Sequence, residues 1–344
     1  MQQQLETVRD EGHEHHPRRS RRPLWLGIGV GGITLLFVLR AVTAELDLPL
    51  PDQLQDMLTL SISVIVESLP FVVLGLILSV VVQVWLPDGW LERFLPRRGP
   101  VRRLLISLLG VLFPVCECGN VPLARGLMVR GFSVGDSMTF LLAAPILNPV
   151  TIITTYQAFG FDGFILIGRV VGGLVIANMI GWIVSRHPAP ERLLTDRFAA
   201  ECRVPAHQHG GSRTGESLSL FAREAGVIMP ALFIGSLVAG AIQSFVPRQV
   251  LVTLGSDPVF SILALMALAF VISVCSNVDA FFILPFASTF LPGSIVAFLV
   301  FGPVIDIKML SLMRTTYKAR TLVLITALVG LLSLLIGLVV NLIA

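Results

Sequence analysis

The sequence predicts an all-α integral membrane protein: a polytopic helical bundle of two inverted-topology repeats with broken or re-entrant helices at the centre, plus an extra N-terminal span. Three observations predict this fold class: the composition, apolar segments that recur at the length of a bilayer span, and an internal repeat. Of the 344 residues, 54% are hydrophobic and 14% are charged, and the mean hydropathy is +0.84. Soluble domains carry about 25% charged residues, so this chain lacks the polar surface that a soluble protein exposes.

The N-terminal region predicts a cytoplasmic basic tail over residues 1–23, followed by a first transmembrane span over residues 24–43. The tail ends in four arginines, and positively charged residues favour the cytoplasmic side of a span. A cleaved signal peptide is the competing interpretation, because residues 42–44 resemble a small-residue cleavage site. The length of the polar tail and of the apolar run favours an uncleaved span.

The rest of the chain divides into transmembrane repeat 1 over residues 57–185, a linker over 186–217 and transmembrane repeat 2 over 218–344. The linker is hydrophilic and rich in arginine, and it lacks apolar patterning. We therefore expect it to be a flexible cytoplasmic segment. The charge bias of the loops predicts a multi-pass protein of the plasma (inner) membrane with a cytoplasmic N-terminus.

Two segments of the chain align without a gap: "PFVVLGLILSVVVQVWLP", which starts at Pro70, and "PALFIGSLVAGAIQSFVP", which starts at Pro230. The same alignment continues further along both halves, where it pairs Cys118 with Cys275, Asn120 with Asn277, and Asn148 with Asp306. The loop charges place the start of the first copy outside and the start of the second inside, which indicates inverted topology. A parallel arrangement is the alternative, but it would leave the arginines of the linker outside.

Each repeat contains a predicted helix break. In the first, residues 104–115 form an apolar run that is short for a span and is followed by "CECGNVP", where Gly119 and Pro122 are predicted to break the helix. In the second, the break is predicted at residues 275–277. Unpaired backbone groups at membrane depth must face protein or water, so we expect both breaks to line a cavity.

Three thiols lie at these breaks: Cys116 and Cys118 in the first, and Cys275 in the second. Thiolates favour soft metals and metalloids, so the predicted partner is a small soft solute such as a trivalent arsenical. The alternative is that each cysteine packs as a small apolar side chain. The fourth cysteine, Cys202, is expected to be a solvent-facing thiol in the linker.

Polar side chains within the spans complete the predicted site. Glu117 and Asp306 are the candidates for proton coupling, because ionisable groups inside a membrane are costly and usually line a solute or proton path. Asn120, Asn277 and Asn148 are candidate substrate ligands; hydrogen bonds between helices are the alternative role. Asp279 is a weaker candidate, and Lys308 would face away from Asp306 on a regular helix. Four charged residues are expected to be interfacial: Glu67, Arg169, Arg223 and Glu224.

Other functions have little support in the sequence. It contains neither a phosphate-binding loop nor a dinucleotide-binding glycine motif. The histidines cluster in polar segments and are expected to be solvated: His13, His15, His16, His207 and His209. The sequence thus predicts no catalytic residue, no metal centre, no cofactor and no nucleic-acid partner, with the lipid bilayer as its surroundings.

The string "FPVCECGNVPLARGLMVRGFSVGDSMTFLLAAPILNPVTI" at residues 113–152, with its counterparts "VCSNVDAFFILPFASTF" and "FLVFGPVIDIKMLSLM", resembles the predicted permease family that includes the ArsP organoarsenical efflux permeases. The resemblance implies a polytopic inner-membrane permease, and some relatives export trivalent methylated or aromatic arsenicals. It places the cysteine-containing loop of the family on Cys116 and Cys118, with Cys275 as the repeat counterpart.

Two functions follow as hypotheses. The first is a secondary transporter that exports a soft solute by alternating access, and it is not an enzyme. The alternative is a membrane thiol-disulfide oxidoreductase that passes electrons through Cys118 and Cys275.

Overall fold

The computed structural model describes residues 27, 30–38, 51–87, 95–96, 99–113, 115–161, 164–203, 212–245 and 258–344. Within these ranges the chain is helical, without a β-strand. The basic tail, the candidate cleavage site and all five clustered histidines lie outside the described residues. The first half contains the helices α1 (30–38), α2 (Asp52–Val80, extended by a π-helical turn over Val81–Trp85), α3 (Gly99–Leu112), α4 (Glu117–Val129), α5 (Val134–Leu147), α6 (Pro149–Phe159) and α7 (Ile165–Arg186).

A short segment joins the halves and contains a 3₁₀ turn (Pro190–Leu193) and α8 (Asp196–Cys202). The second half contains α9 (Arg213–Phe245), α10 (Pro258–Ile272), α11 (Asp279–Ile283, followed by a 3₁₀ turn over Leu284–Phe286), α12 (Pro292–Phe301), α13 (Ile307–Met313) and α14 (Ala319–Ile343).

Among the described residues, five helical segments are long and apolar enough to cross a membrane: Gln53–Trp85, Val134–Phe159, Ile165–Arg186, Arg213–Ser244 and Ala319–Ile343. Two shorter apolar helices, Val259–Ile272 and Pro292–Phe301, accompany them. Many large apolar side chains stay exposed on these helices, as expected for surfaces that face lipid. The prediction of an all-helical membrane protein is confirmed.

The long helices α2 and α9 pack against each other in antiparallel orientation. At one end, Trp85 Nε1 donates to Ser217 Oγ at 3.2 Å. At the other end, Gly240 of α9 packs directly against Ser61 of α2. Small residues at this contact let the two backbones approach closely, which is how helices associate where no hydrophobic driving force acts between them.

In the first half, α3 and α4 form a hairpin whose two open ends lie at the same end of the bundle. Arg130, at the end of α4, donates to the carbonyl oxygens of Val82 at 3.0 Å and Leu86 at 2.7 Å, so α4 runs parallel to α2. Arg102, near the start of α3, donates to Asp136, near the start of α5, at 2.8 Å. The closed end of the hairpin therefore lies inside the bundle.

The break within this hairpin lies earlier than the sequence predicts. Helix α3 ends at Leu112 and α4 begins at Glu117, with Cys116 in extended conformation as its N-cap. Gly119 and Pro122 lie inside α4, so their assignment as helix breakers was wrong. Gly119 instead supplies a surface without a side chain, against which Gly75 of α2 packs backbone to backbone.

In the second half, the break falls where the sequence predicts it. Helix α10 ends at Ile272 and α11 begins at Asp279. Ser273 follows α10 with φ at +51°, in the left-handed region that non-glycine residues rarely adopt. Ser261 Oγ, near the start of α10, lies 2.7 Å from Ser294 Oγ near the start of α12, so the two open ends of this hairpin also lie together.

The paired positions Asn148 and Asp306 interrupt two further helices in the same way. Asn148 separates α5 from α6, and its side-chain oxygen accepts from the backbone N–H of Val150 at 2.9 Å. Asp306 precedes α13, and its Oδ1 accepts from the backbone N–H of Met309. Both residues are thus N-caps that begin the second part of a broken helix.

The described part of the linker is ordered, contrary to the prediction of a flexible segment. Leu194 and Phe198 are spaced four residues apart, and both are buried. Backbone hydrogen bonds tie the segment to the turn after α13, with Thr195 N–H to the Thr316 oxygen at 2.8 Å and Lys318 N–H to the Leu193 oxygen at 3.0 Å. The burial of these two apolar residues and the backbone hydrogen bonds to the turn together hold the segment in place.

Candidate functional site

The two helix breaks meet at a buried cluster of sulfur and carboxylate groups. Cys116 and Glu117 stand at the N-terminus of α4, and Cys275 lies in the segment between α10 and α11. All three side chains are buried, and their potential ligand atoms lie within 4.8 Å of one another. Two soft sulfurs and one carboxylate oxygen within this distance can hold one soft ion or metalloid centre.

The Glu117 carboxylate is the polar centre of the cluster. Its Oε2 accepts from Ser276 Oγ at 3.0 Å and from the Ser276 backbone N–H at 3.4 Å, and the Cys275 thiol lies 3.7 Å away. Its Oε1 accepts from Lys308 Nζ at 3.2 Å. All these donors belong to the second half of the chain, whereas Glu117 belongs to the first. A carboxylate that is only 1% exposed needs such donors, because burial removes its hydration.

Lys308 is a member of the site that the sequence did not predict. It is buried, and its ammonium donates to the Ser273 carbonyl oxygen at 3.4 Å as well as to Glu117. The signal was present in the sequence, because a lysine within an otherwise apolar segment marks a functional position. The spacing of residues along one helix does not reveal the partner of Lys308, because Glu117 is 191 residues away in the chain.

The remaining predicted cysteine and the remaining predicted carboxylate adjoin this centre. Cys118 is buried, and its thiol lies within hydrogen-bonding reach of Cys116. Asp306 is 1% exposed and interacts electrostatically with Lys308 and Glu117. Glu67 of α2, expected at an interface, is half-buried and interacts with the same two residues. The cluster therefore combines one ammonium with three carboxylates.

The three predicted asparagines do not converge on one point. Asn120 and Asn148 both donate to the carbonyl oxygen of Val115, at 3.4 and 3.3 Å, and so satisfy the backbone at the first break. Asn277 is half-buried, and its side-chain oxygen accepts from Thr151 Oγ1 at 3.3 Å. Asn120 and Asn148 thus support the cluster, and Asn277 links the second break to α6.

Two buried arginines form ion pairs outside the cluster, and the expectation that Arg169 and Glu224 are interfacial was wrong. Arg169 of α7 pairs with Asp279 of α11. Arg125 of α4 pairs with Glu224 of α9 at 2.9 Å, and its guanidinium lies 4.1 Å from the ring centroid of Phe198. The hydropathy of the sequence gives no signal for these pairs, because each charge lies within an apolar helix whose partner is distant in the chain.

All four cysteines are free thiols. Cys202 lies apart from the cluster at the end of α8 and is half-buried, which corrects its prediction as a solvent-facing thiol. Burial raises the pKa of this thiol to about 11. It is therefore protonated at neutral pH and a poor nucleophile.

Comparisons with known proteins agree with this architecture. A family model, ArsP_1, described as a predicted permease, matches residues 53–342. The UPF0718 protein YcgR of Bacillus subtilis is 36% identical over 264 residues, which cover 75% of this chain and 88% of that protein. A Streptococcus mutans protein called a two-component membrane permease complex subunit is 32% identical over 281 residues, which cover 79% and 90% of the two chains. No solved structure matches the chain at a significant level.

Proposed function

Because this chain belongs to the ArsP_1 family of predicted permeases, we propose that it is a secondary transporter of the inner membrane, exporting a small soft solute such as a trivalent arsenical by alternating access. One observation carries the proposal. The ligand atoms of Cys116, Glu117 and Cys275 lie buried within 4.8 Å of one another where the two helix breaks meet. A buried site at the junction of two broken segments is the arrangement in which secondary transporters bind their solutes.

In the proposed transporter the two halves have inverted topology, as in many secondary transporters. Two features support this arrangement. The helices α2 and α9, which begin the two predicted repeats, pack antiparallel, and both the α3–α4 and the α10–α11 segments fold back on themselves. In this proposal the two hairpins are re-entrant and enter from opposite sides.

Two closures on either side of the cluster fit alternating access. Arg169 and Asp279 join α7 to α11 on one side. On the other, Arg125 joins α4 to Glu224 of α9 and, at 3.3 Å, to Glu201 of the linker helix α8. We assign the first pair to the outer closure and the second to the cytoplasmic closure, following the positive charge of the linker.

Proton coupling is assigned to Glu117 or Asp306. Both carboxylates are buried. Glu117 lies beside the thiols and accepts from Lys308, and Asp306 lies near Lys308. A carboxylate that changes its protonation in step with solute binding can drive release against a gradient. The oxidoreductase alternative would require a bond between Cys118 and Cys275, and no contact among the described residues favours it.

Transport of methylarsenite into everted membrane vesicles tests the proposal. Cys116→Ser and Cys275→Ser are expected to abolish uptake while leaving folded protein in the membrane. Cys202→Ser is the matched control: the same chemical change outside the cluster is expected to leave uptake intact. Unchanged uptake in both site variants would remove the thiol mechanism, and absence of uptake by the unaltered protein would remove this cargo.

A further inference from the structure

Asp306 has a buried carboxylate oxygen without a hydrogen-bond donor. Its Oδ1 caps α13 by accepting from the backbone N–H of Met309. Its Oδ2 accepts no hydrogen bond from any residue in the described part of the chain, although the side chain is only 1% exposed. Buried polar atoms without a partner are costly, so this oxygen is a position at which a donor would be favourable.

Lys308 is the cation nearest to Asp306 along the chain. Positions two apart face different sides of a regular helix, but Asp306 precedes the helix with extended backbone, at φ −138° and ψ 174°. The two charges act on each other in the fold. A lysine side chain has a flexible four-carbon stem, so its ammonium can move from one carboxylate to another while α13 stays in place.

The two fully buried carboxylates near Lys308 belong to different halves of the molecule. Glu117 stands on α4 of the first half, whereas Asp306 and Lys308 stand on α13 of the second. Glu67 of α2 is the third carboxylate that acts on Lys308, and it is only half-buried. Any movement that separates the halves must break the pair between Lys308 and Glu117. A buried charge left without its partner is strongly unfavourable, unless a second partner is at hand.

We infer that Lys308 exchanges between Glu117 and Asp306 during transport. In the present conformation it pairs with Glu117 across the two halves, and it pairs with Asp306 within its own half once the halves move apart. This inference rests on the proposed alternating access. Lys308 and Asp306 act here as positioning residues: Lys308 holds Glu117 beside the thiols in one state, and Asp306 accepts Lys308 in the other.

The structure of the Glu117→Gln variant tests the exchange directly. The amide that this substitution introduces carries no charge, so Lys308 is expected to turn to Asp306, with Nζ at about 2.8 Å from Oδ2, the usual distance of a charge-assisted hydrogen bond. A Lys308 ammonium that still contacts residue 117 and Ser273 in this variant would overturn the inference. This result does not depend on the identity of the cargo, so it separates a failure of the exchange from a failure of the proposed function.

Initial rates of methylarsenite uptake by the reconstituted protein give the second test. Asp306→Asn is expected to lower the maximal rate at least tenfold and to leave the KM within about twofold, since Lys308 loses its second partner. In the Lys308→Met background, the same substitution is expected to change the rate less than twofold. Equal losses in both backgrounds, or no loss in either, would contradict the exchange. Asp196→Asn, the same change at an exposed position of α8, is the control and is expected to behave as the unaltered protein.

Discussion

Arg169 and Asp279 form a bidentate ion pair between the two halves of the chain, with Nη2 to Oδ2 at 2.6 Å and Nη1 to Oδ1 at 2.9 Å. Both side chains are almost completely buried. The same guanidinium donates to Thr155 Oγ1 at 2.8 Å and to the Ser276 carbonyl oxygen at 3.3 Å. Since Ser276 also donates to Glu117, a short chain of hydrogen bonds connects this ion pair to the thiol cluster.

Removing one member of this pair is expected to be more harmful than removing both. Asp279→Asn and Arg169→Met should each lower the free energy of unfolding by about 3–5 kcal/mol, because each leaves an uncompensated or poorly solvated buried group. The double variant Arg169→Met/Asp279→Leu should lose much less than the sum. Reversible unfolding in mixed micelles measures all three, and losses that simply add would show that the two residues do not act as a pair.

Arg125 and Glu201 offer a matched comparison on the opposite side of the cluster. Arg125→Met is expected to cost about 3–5 kcal/mol, because it leaves Glu224 buried and unpaired. Glu201→Gln should cost no more than about 1 kcal/mol, since its carboxylate is partly exposed and Arg125 keeps Glu224. The same unfolding measurement distinguishes them, and equal losses would place the stability of this closure in the linker helix instead.

Gly75 and Gly119 are expected to tolerate no side chain. A Cβ on Gly75 would overlap with the Gly119 carbonyl group, and a Cβ on Gly119 would overlap with the Phe71 carbonyl oxygen and the Val115 side chain. Because backbone atoms cannot turn aside, Gly75→Ala should cost about 3 kcal/mol or more and misplace Glu117. Gly31→Ala is the control, since open space surrounds that position. A Gly75→Ala protein as thermostable as the control would contradict the close contact of α2 and α4.

Cys202 should react slowly with maleimide near neutral pH. Its pKa is raised to about 11 by burial, so less thiolate is present at pH 8 than for a free cysteine. Labelling of the folded protein is expected to be at least tenfold slower than labelling of the unfolded chain at pH 8. The difference should shrink as the pH rises toward 11, because the thiol then ionises in both states. Mass spectrometry of the Cys202 peptide measures both rates, and equal labelling at pH 8 would argue against the packing of α8.

The composition and the apolar periodicity of the sequence were sufficient to predict an all-helical membrane protein with interrupted helices. The second break lies where the local pattern predicts it, and Cys116 and Cys275 lie close together in the structure. Asn148 and Asp306 were predicted as a solute ligand and a proton-coupling group, and only the structure shows that both are helix N-caps. Hydropathy and helix interruption can be recognised from neighbouring residues. The similarity between the two repeats then indicates which distant positions correspond to each other. The placement of Gly119 and Pro122 inside α4 shows the limit of this reasoning, because the surrounding packing overrode the local propensity.

Only the tertiary structure decided which buried charges are paired. Lys308 meets Glu117 across 191 positions of the chain, Arg169 meets Asp279 across 110, and Arg125 meets Glu224 across 99. The sequence predicts that Arg169 and Glu224 lie at the membrane interface, because hydropathy counts the burial of each charge as unfavourable without regard to a partner. In the folded protein that cost is offset by a partner from another helix. The sequence by itself therefore determined the helical membrane class and the approximate regions of the helix breaks, and the packing of distant helices determined the electrostatics of the site, since a charge can remain buried only where the fold brings its counter-ion to it.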